Sequence, residues 1–207
     1  MSPDEFPTEA EALCELGRLF GDRGWCLATS GNFSLRVGGN RCLITQSGRD
    51  KSRLSRSDLM VCDFDGVTAD ERATPSAETP LHTLIYRLDA GVGAVLHTHS
   101  VFATVMSRAT KDELTIRGFE MQKAIAGVRS HDEAIEIAVF DNDQNMPALA
   151  GKVAGAWAAG LIAVPGFLIR GHGLYAWGTD LDQAQRHVEG FEFLLQCAWQ
   201  DRLANSP

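Results

Sequence analysis

Apolar positions recur along this chain at two spacings, and the spacing switches from block to block. Leu13, Leu16, Leu19 and Phe20 form one face of a helix, which predicts a helix over about 9–22 that ends near Gly24. Thr8 with Glu11 three positions on reads as its capping box. Alternation then takes over. Phe33-Ser34-Leu35-Arg36 reads as a strand, and Gly38-Gly39-Asn40 as a hairpin turn into Cys42–Thr45. Leu59–Phe64 predicts a strand, with Asp65-Gly66 turning the chain into another. Leu81, Leu84, Ile85 and Leu88 return to helical spacing, capped by Ser76. The apolar run from Ala94 ends in His97-Thr98-His99, and Val101–Met106 reads as a short buried helix. Leu114–Arg117, Ala134–Phe140, Phe167–Arg170 and Leu174–Trp177 predict further strands, and Met146–Ala159 an Ala-rich helix stopped by Gly160. The last helix carries the stripe Val188, Phe191, Leu194, Leu195 and Ala198, with Thr179 and Asp182 as its cap. Strands and helices interleaved, with hairpin turns among the strands, predict an α/β fold. It has three layers, α/β/α, around a central mixed, largely antiparallel sheet.

Composition narrows this only slightly. At 207 residues, without an internal repeat or a linker, residues 1–207 are expected to form a single domain. The formal charge of −8 argues against nucleic acid and anionic membranes as partners, yet leaves room for a small anionic substrate. Five cysteines, odd in number and without a Cys-x-x-Cys, read as reduced core thiols. No leader-like or membrane-length apolar run is present, so a cytoplasmic location is expected.

The candidate chemistry centres on the two histidines. Residues i and i+2 of an extended backbone face the same side, so His97 and His99 can offer two imidazoles to one ion while Thr98 points away. His172, between Gly171 and Gly173, is the best third ligand. Three histidines leave one position open, as a catalytic zinc requires. The alternative is a pair of hydrogen-bonded histidines at a strand end. The loops around Ser30-Gly31-Asn32 and Ser47-Gly48, with Arg49 and Lys51 close by, suit either a phosphate nest or two ordinary surface turns. Glu78 lies in the first turn of its helix, where the dipole favours a carboxylate whether or not it has another role. His82 one turn on reads as a supporting or surface residue, and His187 as packing or surface. Glu120, between Phe119 and Met121, is either a desolvated acid with a raised pKa or a solvated loop residue.

Together, Ser-Gly-Asn-Phe-Ser at 30–34, Thr-Gln-Ser-Gly at 45–48, Pro-Ser-Ala-Glu at 75–78, His-Thr-His-Ser at 97–100 and Gly-His-Gly at 171–173 make a set. In order and spacing the chain resembles the class II aldolase superfamily of fuculose and rhamnulose aldolases and ribulose-phosphate epimerases, over about residues 9–200. Glu120-Met121 and the run Gly-His-Gly-Leu-Tyr-Ala-Trp-Gly at 171–178 resemble a dehydratase branch of that superfamily. The resemblance implies one Zn2+ per subunit held by His97, His99 and His172. It implies substrate phosphate at Asn32, Ser47, Gly48 and Ser76, Glu120 as acid/base, and Glu78 as the carboxylate that assists proton transfer. The expected activity is a zinc-dependent lyase that dehydrates a ketose phosphate, with an aldolase or epimerase on another ketose phosphate as the alternative. A homotetramer with sites between subunits is expected as well.

Overall fold

A computed structural model describes residues 2–205. Eight strands form one sheet in the order β3-β2-β1-β4-β8-β7-β6-β5. The strands are β1 (Asn32–Arg36), β2 (Arg41–Thr45), β3 (Leu59–Asp63), β4 (Ala94–Thr98), β5 (Glu113–Ile116), β6 (Ile135–Phe140), β7 (Gly166–Ile169) and β8 (Gly173–Gly178). Every neighbouring pair is antiparallel except β6 with β7, so the sheet is mixed and largely antiparallel, as the hairpin signals predict.

Five helices cover it: α1 (Pro7–Asp22), α2 (Thr79–Leu88), α3 (Val101–Arg108), α4 (Met146–Ala158) and α5 (Leu181–Ala204). The period of two in the strands separates the core into halves. Ala94 and Leu96 of β4 pack with α1, α3 and α5 on one face, and Val95 with α2 and α4 on the other. Three layers result. The central position of β4, between β1 and β8, puts His97 where segments distant in sequence converge. Among the described residues no helix is long and apolar enough to cross a membrane. The five cysteines are free, four of them buried, in keeping with core thiols.

Several local expectations are corrected. Thr8 and Glu11 are not a capping box, because Pro7 fits the first helical position and starts α1 before Thr8. The reciprocal box belongs to Ser2 and Glu5, on a short 3-10 turn. Asp65-Gly66 does not lead into another strand. Asp63 Oδ1 collects the N–H groups of Asp65 and Val67, and the chain then runs as loop to α2. Ser76 does not cap α2, whose N-cap residue is Glu78; its hydroxyl instead accepts from the Glu78 N–H at 3.2 Å and donates to Asn32 Oδ1 at 2.9 Å. The cap of α5 is Asp180, whose carboxylate takes the Gln183 N–H while Gln183 Oε1 takes that of Thr179.

Candidate metal centre

The last ladder pairs of β4 are Asn32 with His97 on one side and Thr98 with Leu174 on the other. His97 is fully buried, and its Nδ1 lies 2.9 Å from the Leu174 carbonyl oxygen. That carbonyl only accepts, so Nδ1 carries the proton and Nε2 presents a lone pair. The ring is held flat against Tyr175, centroid to centroid 4.0 Å. β8 comes this close because residue 173 is glycine: a Cβ there would sit 2.0 Å from the Thr98 carbonyl oxygen. Gly171, at φ +64°, supplies the left-handed turn that swings His172 back toward β4.

The three histidines meet, the pair by its i, i+2 spacing and His172 through the glycines that flank it. His99 Nε2 lies 2.8 Å from His97 Nε2 and 3.0 Å from His172 Nε2. Glu78, at the start of α2, completes the group: Oε2 is 2.8 Å from His97 Nε2 and Oε1 is 3.2 Å from His172 Nε2. One potential ligand atom from each of the four residues falls within 4.8 Å of the others. The Tyr175 hydroxyl donates to Glu78 Oε2 at 3.0 Å. Burial works against the Glu78 charge, but the His97 and His172 imidazoles outweigh it and hold the carboxyl far below the usual carboxylate range. Burial first, and then its two histidine neighbours, bring His99 down to about 3.

This donor set fits a divalent cation. His97 Nε2 faces a carboxylate oxygen at 2.8 Å, a separation that a bridging proton or a bound cation satisfies. Neutral nitrogens with one carboxylate suit zinc, at about 2.0–2.2 Å per ligand, and several other first-row ions as well.

Beside His99 and Glu78 opens a cavity of about 260 Å3, lined among others by Asn32, Ser47, Gly48, Lys51 and Ser76. The two polar loops therefore come together. Asn32 is largely engaged in structure, donating to the Thr45 carbonyl and accepting from Ser76. The Ser47 N–H is spent on the Thr74 carbonyl, which leaves its hydroxyl as the donor for a ligand. Lys51 is 1 % exposed and gives two N–H bonds to the carbonyls of Thr29 and Arg49. Its ammonium has a third. Burial lowers its pKa, while Cys26, Asp50 and Glu78 pull the other way. The Ser-Gly-x-x-Lys spacing is the sequence signal for this buried cation.

Glu120 stands apart. It opens an exposed 3-10 turn (Glu120–Ala124), its side chain is 72 % exposed, and its carboxylate pairs with Lys123 at 2.6 Å and faces His131 at 3.5 Å. The expectation of a desolvated, raised acid is therefore corrected within this chain: the hydrogen bond from Lys123 lowers its pKa. His82 is not a surface residue. It is buried with Nδ1 2.8 Å from Ser34 Oγ, and burial chiefly, with His97 adding, brings it down to about 3. His187 packs inside, accepting from the Ala126 N–H at 3.1 Å with its Nδ1 2.6 Å from the Trp177 carbonyl oxygen.

A methylthioribulose-1-phosphate dehydratase of Yersinia enterocolitica is 51 % identical over 196 residues, 94 % of this chain and 93 % of that protein. One of Pectobacterium atrosepticum is 51 % identical over 193 residues, covering 93 % and 94 %. Among solved structures, the L-fuculose-1-phosphate aldolase of Thermus thermophilus superposes with a TM-score of 0.75 at 27 % identity, over 96 % of this chain and 97 % of that one. Residues 11–199 match the class II aldolase and adducin N-terminal domain, and the chain belongs to that family.

Proposed function

We propose that the protein is a zinc-dependent hydro-lyase that converts 5-methylthioribulose 1-phosphate to 5-methylthio-2,3-dioxopentyl phosphate, a step of methionine salvage, in the cytoplasm. The observation that carries this reading is the meeting of three imidazole nitrogens and one carboxylate at the mouth of a cavity lined by Ser47, Gly48, Lys51 and Ser76. Identity of about 50 % to two dehydratases, over nearly the full length of both, supports the choice of substrate.

His97, His99 and His172 hold one Zn2+ per subunit, and the ion supplies Lewis-acid polarisation of the substrate's oxygens. The chain's own residues do the rest. The Ser47 and Ser76 hydroxyls, the Gly48 backbone, the Asn32 side chain and the Lys51 ammonium hold the phosphate, which fixes the sugar carbons in register with the carboxylates. The proton on C3 acidifies because the neighbouring C2 is a carbonyl. Glu78, kept ionised, takes that proton or competes for it with Glu120. Hydroxide is a poor leaving group, so the C4 hydroxyl departs as water with a proton from Glu120. The enol left behind ketonises to the 2,3-diketone, so the reaction removes one water and needs no oxidant. An exposed Glu120 reaches this chemistry most simply in a homotetramer, where its turn faces the site of a neighbouring copy.

A second reading is an aldolase acting on another ketose phosphate, favoured by Glu78 standing within the histidine cluster, where a single carboxylate suffices for deprotonation. The purified protein, incubated with 5-methylthioribulose 1-phosphate and separately with other ketose phosphates, is assayed for diketone and for aldehyde. Diketone from the methylthio sugar, with about one zinc per chain by metal analysis, is the expected result. Aldehyde release from another substrate without diketone would replace the lyase by the aldolase.

A further inference from the structure

One buried acid lies outside the chemistry described so far. Glu192 is 2 % exposed, on a face of α5 otherwise made of Val188, Phe191 and Leu195. An apolar residue would fill that place without desolvating a carboxyl. Its bond runs to β4: Thr98 Oγ1 donates to Glu192 Oε1 at 3.0 Å. Thr98 lies between His97 and His99, and it turns to the face of the sheet opposite the metal centre.

This matters because the sheet stops holding the chain just there. The ladder of β4 ends at Thr98. His97 has its ring fixed by the Leu174 carbonyl and the Tyr175 ring, whereas the ring of His99 meets His97 and His172. The direction of the His99 imidazole is therefore inherited from its backbone. That backbone is held by its own N–H to the Trp25 carbonyl at 2.7 Å and by the hydroxyl of Thr98 before it. The same segment steadies the third histidine: Ser100 caps α3 through the Ala103 N–H, and Thr104 of α3 donates to the His172 carbonyl at 2.9 Å.

We propose that Glu192 is a positioning residue for the metal centre, pinning Thr98, the residue between His97 and His99, to α5 and so fixing the angle between the His97 and His99 imidazoles. The inference rests on the metal reading above.

Zinc affinity by chelator competition, and the visible absorption of bound Co2+, are measured on the wild-type protein and on Glu192→Leu, Glu192→Gln and Thr98→Val. The melting temperature of each metal-free protein is taken in parallel. Glu192→Leu and Thr98→Val are expected to weaken zinc binding about tenfold or more and to alter the Co2+ spectrum, as loss of support behind a ligand does. The metal-free Glu192→Leu form melts no lower than wild type, which separates positioning from a general loss of fold. Glu192→Gln keeps the acceptor for Thr98 and stays within about threefold of wild type. Unchanged affinity and spectrum in Glu192→Leu would overturn the proposal, and if that variant does not fold, the same result in Thr98→Val overturns it. A wild-type protein that takes up no zinc would instead sink the metal centre itself.

Discussion

The single proton on the His97 ring governs what the site can bind. Because Nδ1 is committed to the Leu174 carbonyl, Nε2 meets the other donors as a base. Replacing it leaves two imidazoles and a carboxylate too loosely arranged for a tight site. His97→Ala is expected to lose bound zinc and turnover together, measured by metal analysis and diketone formation; full activity in the metal-free variant would refute the ligand assignment. Glu120→Gln separates the other function. It should keep its zinc and lose dehydration by about a hundredfold or more, the usual worth of a positioned acid/base; unchanged turnover would pass the whole proton transfer to Glu78. At the phosphate loops, Ser47→Ala combined with Ser76→Ala removes two hydroxyls that line the cavity. The apparent KM should rise about tenfold or more, with kcat changed less, if each lost donor is worth the usual charge-assisted bond.

At the scale of elements, His187 shows how a helix is tied to what it covers. It sits on α5 and joins the Trp177 carbonyl of β8 to the Ala126 N–H, just past the turn that carries Glu120. Burial lowers its pKa, outweighing the Trp177 carbonyl, which favours the charged ring. The unfolded chain takes up a proton as pH falls below about 6.5, and the folded chain does not until its own lower value is reached. Stability at this residue is thus fully present above the unfolded pKa and is lost progressively as pH falls beneath it. Melting curves from pH 7.5 to 5 should decline less steeply for His187→Gln than for wild type; parallel curves would show that His187 contributes nothing to the slope. Elements like these are largely legible in sequence, because apolar spacing alone separates β4 from α3 and α4 from β7. Helix starts are less so. Thr8 with Glu11 and Thr179 with Asp182 have the right letters, yet Pro7 and Asp180 set the boundary, since a cap depends on one residue's backbone angles. The site is legible where its members are close in the chain or flanked by glycine. Glu192 and Tyr175 are not, because only the placement of β4 between β1 and β8 joins segments some eighty to a hundred residues apart.

For the whole molecule, the open question is how many chains make one site. The four clustered residues and the phosphate cavity come from a single chain, but Glu120 turns its carboxylate to solvent beside Lys123. An acid spent on a surface ion pair has an ordinary or lowered pKa, the opposite of what protonating a leaving hydroxyl needs. A second copy docked over this turn, as proposed above, would remove water from Glu120 and supply the desolvation that the isolated chain lacks. Two inactive variants then become complementary. His97→Ala chains lack the metal centre but keep Glu120, and Glu120→Gln chains keep the metal centre but lack the acid. If each site takes its histidines from one copy and Glu120 from the next around a closed ring, random mixing makes about a quarter of the sites whole. Dissociating and reassembling the two variants together should therefore restore roughly a quarter of wild-type dehydratase activity, while either variant treated alone stays inactive. Recovery of nothing from a mixture that size-exclusion chromatography shows to be reassembled would place Glu120 in the site of its own chain, and the exposed turn would then have to fold inward when substrate binds.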